Sequence, residues 1–255
     1  MSILISSLDL GSARVVSLCG AGGKSTLIFA LAEELVKLGE RVLVSTTTRM
    51  SWEQVGRWRS VRGADLQAIS TMADDPGPPV IAYRDIDEAR GKAIGYSAQE
   101  IDLLAQTSRF TRILVEADGS ARRPLKAPGD HEPVFPATTE VVVMVAGASG
   151  LNLRLDEATV FRAEFWSQRT GIPIGGTVTP DSLAEMVVHR DGFARKAPEH
   201  ARRILFINQC DDADRLAAAM PALESLSGRR DRRPHTVVLG CLEPGVRIAR
   251  CARFR

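Results

Sequence analysis

The sequence predicts an α/β fold in which helices cover both faces of a mostly parallel β-sheet. Three observations predict it. Short apolar segments alternate with helical segments along the chain. Most apolar segments lack the polar alternation of a half-exposed strand, as expected for strands buried on both faces. The chain has 255 residues, of which 44% are hydrophobic and 25% charged, so it is long enough for a large core.

The first predicted strand, Arg14–Gly20, leads through a glycine-rich turn into a helix. In that helix leucines at positions 27, 31, 35 and 38 share one face, and Gly39 follows as a natural stop. Further strands are predicted at Arg41–Thr47, Arg112–Asp118, Glu140–Gly147, Arg203–Asn208 and His235–Gly240. Further helices are predicted near Asp156–Arg169, Asp181–His189 and Asp212–Leu226.

A small β-ribbon insertion is predicted at about residues 79–97. The apolar runs Val80–Tyr83 and Ala93–Tyr96 flank a polar middle that contains Gly91, which is typical of two strands joined by a turn. Ser97 and Glu100 then predict the capping box of a short helix. Because no segment resembles a linker, residues 1–255 are predicted to form a single domain.

Composition excludes several classes of protein. The longest apolar stretch, about Val141–Ala148, is far shorter than the roughly 20 residues of a membrane-spanning helix. The first ten residues lack the basic region and cleavage site of a signal peptide. The four cysteines lie far apart without a CxxC pair, which fits a reducing compartment and argues against structural zinc. We therefore expect a cytoplasmic protein that does not associate with membranes.

The basic C-terminal end, residues 228–255, carries eight arginines and only two acidic residues. Such a segment can contact an acidic partner or nucleic acid, but a solvated surface is the commoner outcome. Apart from Phe254, no aromatic residues lie among the arginines. A platform for stacking bases is therefore not indicated, and nucleic acid is not predicted as a partner.

The strongest functional motif is CGAGGKST, which lies between the first predicted strand and helix. This context is that of a phosphate-binding loop, whose glycines let backbone N–H groups face phosphate oxygens. Lys24 is expected to reach the β- and γ-phosphates and Ser25 to bind Mg²⁺, so the predicted cofactor is Mg²⁺ with ATP or GTP. The full pattern GxxxxGK[ST] requires glycine where this chain has Leu18, and the alternative is a glycine-rich turn with a surface lysine. The predicted nucleotide-binding residues of the loop are Gly20, Ala21, Gly22, Gly23, Lys24, Ser25 and Thr26.

A second motif, ILVEADGS, is an apolar strand that ends in acid. Glu116 and Asp118 are two residues apart, so on a strand both face the same way. Carboxylates at this place hold Mg²⁺ in P-loop proteins. We predict Asp118 as a metal ligand and Lys24, Glu116 and Asp118 as the catalytic candidates. Thr47, at the end of the second predicted strand, is a further metal candidate. The alternative is an acid that caps the next loop, and threonines without a role.

A third motif, FINQCDD, places Asn208 and Asp211 in register with the N-K-x-D pattern of guanine-binding proteins, although Gln209 replaces the lysine. An aspartate there accepts two hydrogen bonds from the guanine edge. The alternative is that Asn208 and Asp211 cap the following helix. The order of the three motifs is typical of P-loop NTPases, which sharpens the prediction to a P-loop NTPase-like domain. It leaves the choice between ATP and GTP open.

A proline-rich segment, Arg122–Pro136, directly follows the acidic strand. It concentrates charged residues and His131, and functional residues often lie on such loops. His131 is a candidate base or ligand, although a lone histidine is more often neither. The role of this segment stays open at the level of the sequence.

These motifs together resemble the YqeC-type proteins, accessory proteins for selenium-dependent molybdenum hydroxylases that are also described as selenium cofactor biosynthesis proteins. The resemblance spans roughly Arg14–Gly240, and Glu116–Pro133 is its most specific part; Gly91–Ser97 and Val160–Arg162 also match. It implies a cytoplasmic bacterial P-loop protein whose partner is a molybdenum hydroxylase or a cofactor-maturation protein. Members usually have histidine where this chain has Arg49, and lysine where it has Gln209.

The predicted function is that of a nucleotide-triphosphate-binding accessory factor for the maturation of a selenium-dependent molybdenum hydroxylase or its cofactor, with slow hydrolysis of ATP or GTP. Two alternatives stay open. One is an ATP-dependent ligase or kinase that acts on a small molecule, since the GxxGKS loop and the threonines also resemble the ATP loop of the Mur ligases. The other is a non-catalytic module that binds the phosphate of a cofactor.

Overall fold

The computed structural model describes residues 3–63, 65–74 and 77–254. The strands are β1 (Val15–Gly20), β2 (Val42–Thr46), β3 (Arg49–Ser51), β4 (Ser60–Arg62), β5 (Val80–Tyr83), β6 (Asp85–Asp87), β7 (Lys92–Ile94), β8 (Arg112–Glu116), β9 (Leu125–Lys126), β10 (Val141–Gly147), β11 (Val160–Phe161), β12 (Arg202–Asn208), β13 (Thr236–Cys241) and β14 (Arg247–Arg253). The α-helices are α1 (Ile3–Ser7), α2 (Lys24–Lys37), α3 (Trp52–Val55), α4 (Leu66–Thr71), α5 (Ala98–Thr107), α6 (Ala163–Thr170), α7 (Pro180–Val188) and α8 (Ala213–Ser227). Short 3₁₀ turns lie at Met72–Asp74, Glu88–Arg90 and Ala148–Gly150.

The main sheet has nine strands in the order β14-β13-β12-β10-β1-β8-β2-β5-β4. Neighbouring strands from β13 to β4 pair in parallel, and β14 pairs antiparallel with β13 at one edge. Every residue of β1, β8 and β10 is buried. The predicted α/β fold with a mostly parallel sheet is therefore confirmed.

The strand β10 illustrates how both faces of the sheet are covered. Its even-numbered residues from Val142 to Ala146 pack with α6, α7 and α8. Its odd-numbered residues from Val141 to Val145 pack on the opposite side with α1 and α2. Because side chains alternate along a strand, an unbroken apolar run has to bury both faces, as the sequence predicted. A third apolar cluster joins β2 and β8 to α4 and α5.

The predicted β-ribbon is partly wrong. β6 and β7 form the hairpin, and β3 adds to it as a third strand in the order β3-β7-β6. However, Val80–Tyr83 is β5 of the main sheet, where all four residues are buried. A short apolar run fits a ribbon or a sheet interior equally well, and only the strand order decides between them.

The predicted helix at Asp156–Arg169 is also wrong in its first half, since α6 begins only at Ala163. The Asp156 carboxylate accepts hydrogen bonds from the N–H groups of Ala158 and Thr159, a local turn that competes with a helix. The other predicted helices and strands lie within a few residues of observed ones, and the capping box of Ser97 and Glu100 begins α5 as predicted.

The predicted basic C-terminal end contains the edge strand β14, whose Arg247, Arg250 and Arg253 are exposed. Its last residue, Arg255, lies outside the described residues. Among the described helices, none combines the length and apolar character needed to cross a membrane.

Candidate functional site

The carboxyl ends of the central strands meet at one edge of the sheet. In the register of the parallel pairs, Glu116 of β8 lies opposite Leu18 of β1 and Thr46 of β2. Gly147 of β10 lies opposite Asn208 of β12. The three predicted motifs therefore lie side by side, in the crevice where open parallel sheets usually bind ligands.

The glycines of the predicted phosphate loop are required by close backbone contacts. A Cβ atom on Gly20 would lie 2.2 Å from the carbonyl oxygen of Val145, and one on Gly22 would lie 2.3 Å from the backbone nitrogen of Gly147. Both glycines have positive φ, at 98° and 79°, a conformation that favours glycine. The loop therefore packs directly against the backbone of β10, where the N–H of Ala21 donates to the carbonyl of Val145 at 2.9 Å.

The helix α2 begins directly after this loop, and its first turn offers unpaired donors. No side chain caps its N-terminus. Within the described residues, we find no acceptor for the backbone N–H groups of Lys24, Ser25 and Thr26. Unpaired amides at the positive end of the helix dipole favour an anion.

Lys24 is buried rather than a surface lysine, with 3% of its surface exposed. Its ammonium nitrogen lies 3.2 Å from Asp118 Oδ1 and 3.7 Å from Glu116 Oε1, and it donates to the carbonyl of Gly20 at 2.6 Å. Burial alone would lower the pKa of Lys24, but the two carboxylates outweigh burial and raise that pKa. The raised pKa keeps the Lys24 ammonium protonated beside the unpaired amides.

Glu116 faces the solvent side of this cluster. Its Oε2 atom accepts hydrogen bonds from the hydroxyl of Ser25 at 3.2 Å and from the side-chain N–H of Gln54 at 3.3 Å. Gln54 also donates to the Ser25 hydroxyl oxygen. Burial and the nearby Asp118 raise the pKa of Glu116 despite the opposing effect of Lys24. Its negative charge is therefore not fully compensated by the protein.

Asp118 lies deeper, with 1% of its surface exposed, between two lysines. Lys24 approaches Oδ1, and Lys126 lies 3.0 Å from Oδ2. The backbone N–H of Gly20 also donates to Oδ2, at 3.0 Å. Glu116 and Asp118 thus both lie close to Lys24, and a second cation, Lys126, also contacts Asp118.

The proline-rich segment Arg122–Pro136 extends this charge network. Lys126 is fully buried, lies 2.8 Å from Glu132 Oε2 and donates to the carbonyl of Gly119. Arg162 lies 2.7 Å from the same Glu132 oxygen. Burial would raise the pKa of Glu132, but Arg162 and Lys126 outweigh it and lower that pKa.

The same segment pairs with a distant part of the chain, since β9 and β11 form a two-stranded parallel sheet. This pairing joins the two sequence stretches that hold Lys126 and Arg162. His131, the candidate base or ligand of this segment, is exposed at the surface.

The threonines after β2 support the acidic strand. Thr46 donates its hydroxyl to the backbone carbonyl of Glu116 at 2.8 Å. Thr47, the predicted metal candidate, donates its hydroxyl to the carbonyl of Val134 at 2.7 Å. Among the described contacts, Thr47 makes none with the side chains of Ser25 or Glu116, so its observed role is to hold the proline-rich segment against β2.

The third motif borders a cavity of about 300 Å³ next to the phosphate loop. The side-chain N–H of Asn208 donates to the carbonyl of Gly22 at 2.8 Å. Asp211 forms an ion pair with Arg215. The cap of α8 is Asp212, whose Oδ1 accepts from the Arg215 N–H at 2.8 Å, so neither Asn208 nor Asp211 caps that helix. The cavity is lined by Gly23, Thr26, Ser149, Asn208, Gln209, Asp211, Arg215, Leu242 and Glu243.

Sequence reasoning did not identify Gln54 or Arg162 as part of the site. The sequence contains a local signal at Gln54, because Ser51 and Gln54 have the spacing of a capping box. Both hydrogen bonds of that capping box are present at α3. That pattern predicts a helix start but not the contact of Gln54 with Ser25. Arg162 belongs to the segment Val160–Arg162 that resembles the family, but nothing in the sequence indicates that it pairs with Glu132.

Comparison with known proteins identifies a family and a relative. The family model described as YqeC protein matches residues 16–164, a range that includes Lys24, Gln54, Glu116, Lys126 and Arg162. The chain is also 35% identical over 212 residues to "Uncharacterized protein YqeC" of Escherichia coli (strain K12), covering 81% of this chain and 82% of that protein.

Proposed function

The chain belongs to the YqeC family, and we propose that it is a nucleoside-triphosphate-binding accessory factor for the maturation of a selenium-dependent molybdenum hydroxylase or its cofactor. The observation that carries the nucleotide proposal is the buried ammonium of Lys24 beside the amides that lack acceptors. The accessory role rests on the resemblance of the motifs to the family. The proposed partner is a molybdenum hydroxylase or a cofactor-maturation protein.

Lys24 can turn toward a phosphate because both carboxylates that it leaves, Asp118 and Glu116, keep other hydrogen-bond or ion-pair partners. Asp118 keeps the ion pair with Lys126 and the hydrogen bond from Gly20. Glu116 keeps its bonds from Ser25 and Gln54. Removing one partner of a buried ion pair is costly when nothing replaces it, and here the remaining partners reduce that cost. The β- and γ-phosphates would then receive both the ammonium and the amides of the first turn of α2.

The residues present also fit Mg²⁺. The Ser25 hydroxyl and the Glu116 carboxylate are hard oxygen donors, and Mg²⁺ typically takes one or two carboxylates together with phosphate and water oxygens. No group of three or more His, Cys, Asp or Glu side chains suited to a metal occurs among the described residues, so such a cation would depend on the nucleotide. When bound, Mg²⁺ would neutralise charge on the phosphate oxygens.

The metal-side carboxylate of the proposal is Glu116 rather than the expected Asp118. Asp118 lies between two ammonium groups, which would repel a cation. Glu116 contacts the Ser25 hydroxyl, and its raised pKa means that a cation would gain from pairing with it. Thr47 is left as a structural residue because its hydroxyl is bonded to Val134.

The nucleoside is proposed to lie in the cavity of about 300 Å³ lined by Asn208 and Asp211, which is at the lower end of the volumes of small-molecule sites. The Asp211 carboxylate is the acceptor that would distinguish guanine from adenine. Arg215 pairs with that carboxylate, so guanine would have to compete with an internal cation. Competition between GTP and ATP measures the outcome directly.

Calorimetric titration with ATP and GTP tests the proposal. Lys24→Met should weaken triphosphate binding at least 100-fold, or about 2.7 kcal/mol, while Lys37→Met at the exposed far end of α2 serves as the matched control. Thermal melting of each variant shows that the change is one of affinity. Unchanged affinity in Lys24→Met would overturn the nucleotide proposal.

Phosphate release over many turnovers separates the proposed slow hydrolysis from the two alternatives. A ligase or kinase would need an acceptor molecule for turnover. A module that only holds a cofactor phosphate would release no phosphate with or without an acceptor. Slow release that a partner protein accelerates is the result expected of an accessory factor.

A further inference from the structure

We propose that the side-chain amide of Gln54 takes the place of a cation between Ser25 and Glu116, so that Mg²⁺ arriving with a nucleotide expels Gln54 and moves the first turn of α3 around Trp52. The inference rests on the proposed function, because it assumes that a triphosphate and its cation bind at Lys24 and Ser25.

The contacts of the amide nitrogen carry the inference. Gln54 Nε2 donates to the hydroxyl oxygen of Ser25 and lies 3.3 Å from Glu116 Oε2. The Ser25 hydroxyl in turn donates to the same Glu116 oxygen at 3.2 Å. These are the two oxygen donors that the proposal assigns to the cation, so the amide and the cation compete for one position.

The orientation of the amide is fixed by its other end. Gln54 Oε1 accepts the backbone N–H of Ser51 at 2.7 Å, a group that can only donate. The nitrogen must therefore face Ser25 and Glu116. Its N–H groups direct partial positive charge at the buried Glu116 carboxylate, which is a weaker form of the compensation that a divalent cation would give.

Expulsion of Gln54 would also disturb α3. The bond from Ser51 to Gln54 Oε1 is half of the capping box that begins this four-residue helix, so the side chain cannot swing away and keep the cap. The flanks of this helix are held in place, because β3 pairs with β7 and the side chains of Met50 and Val55 are buried. The movement is therefore confined to the first turn of α3, where Trp52 makes an edge contact with Tyr83 with ring centroids 6.1 Å apart. Trp52 is 40% exposed, and its emission should report the movement.

The test is a Mg²⁺ titration at saturating ATP or GTP, whichever binds more tightly, followed by tryptophan fluorescence. In the wild-type protein Mg²⁺ should change the emission, and Trp52→Phe should abolish that change, which assigns it to Trp52. Gln54→Ala should lower the half-saturating Mg²⁺ concentration about three- to tenfold, as expected for removal of a competing hydrogen bond, and should remove most of the Trp52 response.

Ser51→Ala is the matched control, because it removes the cap hydroxyl and leaves the Gln54 amide. It should keep the wild-type Mg²⁺ requirement. An equal effect of Ser51→Ala and Gln54→Ala would overturn the inference, as would an unchanged titration in Gln54→Ala. Calorimetry without Mg²⁺, comparing the wild-type protein with Lys24→Met, tests nucleotide binding separately. Binding there together with a negative Gln54 result would reject this inference alone.

Discussion

Asp118 divides the site into two regions that begin alike, because a buried lysine approaches the carboxylate from each side at 3.2 and 3.0 Å. On one side Lys24 begins a helix whose first amides lack acceptors within the described chain. On the other side Lys126 lies on the short strand β9, and Glu132 closes the network with Arg162. A buried lysine therefore does not by itself indicate a ligand site; the donors left unpaired around it do.

The pKa values of the two glutamates in these regions shift in opposite directions. Glu116, on the Lys24 side, has a raised pKa because of burial and Asp118. Glu132, on the Lys126 side, has a lowered pKa because Arg162 and Lys126 outweigh its burial. Burial therefore outweighs the paired cation at Glu116, whereas the paired cations outweigh burial at Glu132. The first region is the one that we propose to bind a ligand, and the second ties the proline-rich segment to β11 and the residues that follow it.

The largest expected effect is on stability. Lys126→Met should lower the free energy of unfolding by about 3–5 kcal/mol, because it leaves the buried Asp118 and the partly buried Glu132 short of a partner. Lys24→Met should cost no more than about 2 kcal/mol, since the half-buried Ser25 and Gln54 at that side let water approach. Urea denaturation of both variants measures the difference. Equal losses would mean that the two sides are structurally equivalent.

The next effect concerns the cation. Glu116→Gln should raise the half-saturating Mg²⁺ concentration for nucleotide binding at least tenfold, equivalent to about 1.4 kcal/mol. Asp118→Asn should raise it less than threefold, because Asp118 is already paired with Lys126. Thermal melting controls for misfolding of the second variant. The reverse order of effects would make Asp118 the metal-side carboxylate.

The smallest effects concern pH. The pKa of Glu132 is lowered from its ordinary value of 4.5. The ionised Glu132 therefore stabilises the fold at pH values above 4.5, and this contribution is lost as the pH falls through the folded-state pKa. Glu132→Gln should therefore cost about 1–2 kcal/mol near pH 7, with a smaller difference from the wild type in acid.

Glu116 should behave in the opposite way. Its raised pKa means that ionisation above pH 4.5 weakens the fold, so Glu116→Gln should be neutral or stabilising by about 1 kcal/mol near pH 7. This advantage should vanish below pH 4.5, where the carboxyl is protonated in both the folded and unfolded chain. Denaturation curves at several pH values measure both variants, and shifts of the same sign would remove the contrast between the two regions.

Local patterns in the sequence were sufficient to predict most of the sheet and the position of the glycine-rich loop. Strands buried on both faces give unbroken apolar runs, and the strand–loop–helix order of Cys19–Thr26 brings glycines and Lys24 together within a few residues. The same reasoning placed Val80–Tyr83 in a ribbon, because a short apolar run does not contain the strand order. It also extended α6 over the turn at Asp156, where side-chain hydrogen bonds compete with the helix.

By itself, the sequence determined which segments are buried strands, where the glycine-rich loop turns and which acids end β8, since these depend on neighbours along the chain. Only the tertiary structure decided that Lys24 is buried, that Gln54 contacts Ser25 from 29 positions away, and that Arg162 meets Glu132 from 30 positions away. The physical reason is that a side chain's partners inside a parallel sheet are set by strand order and register. Those contacts are non-local, whereas periodicity records only the backbone conformation and the buried face of each element.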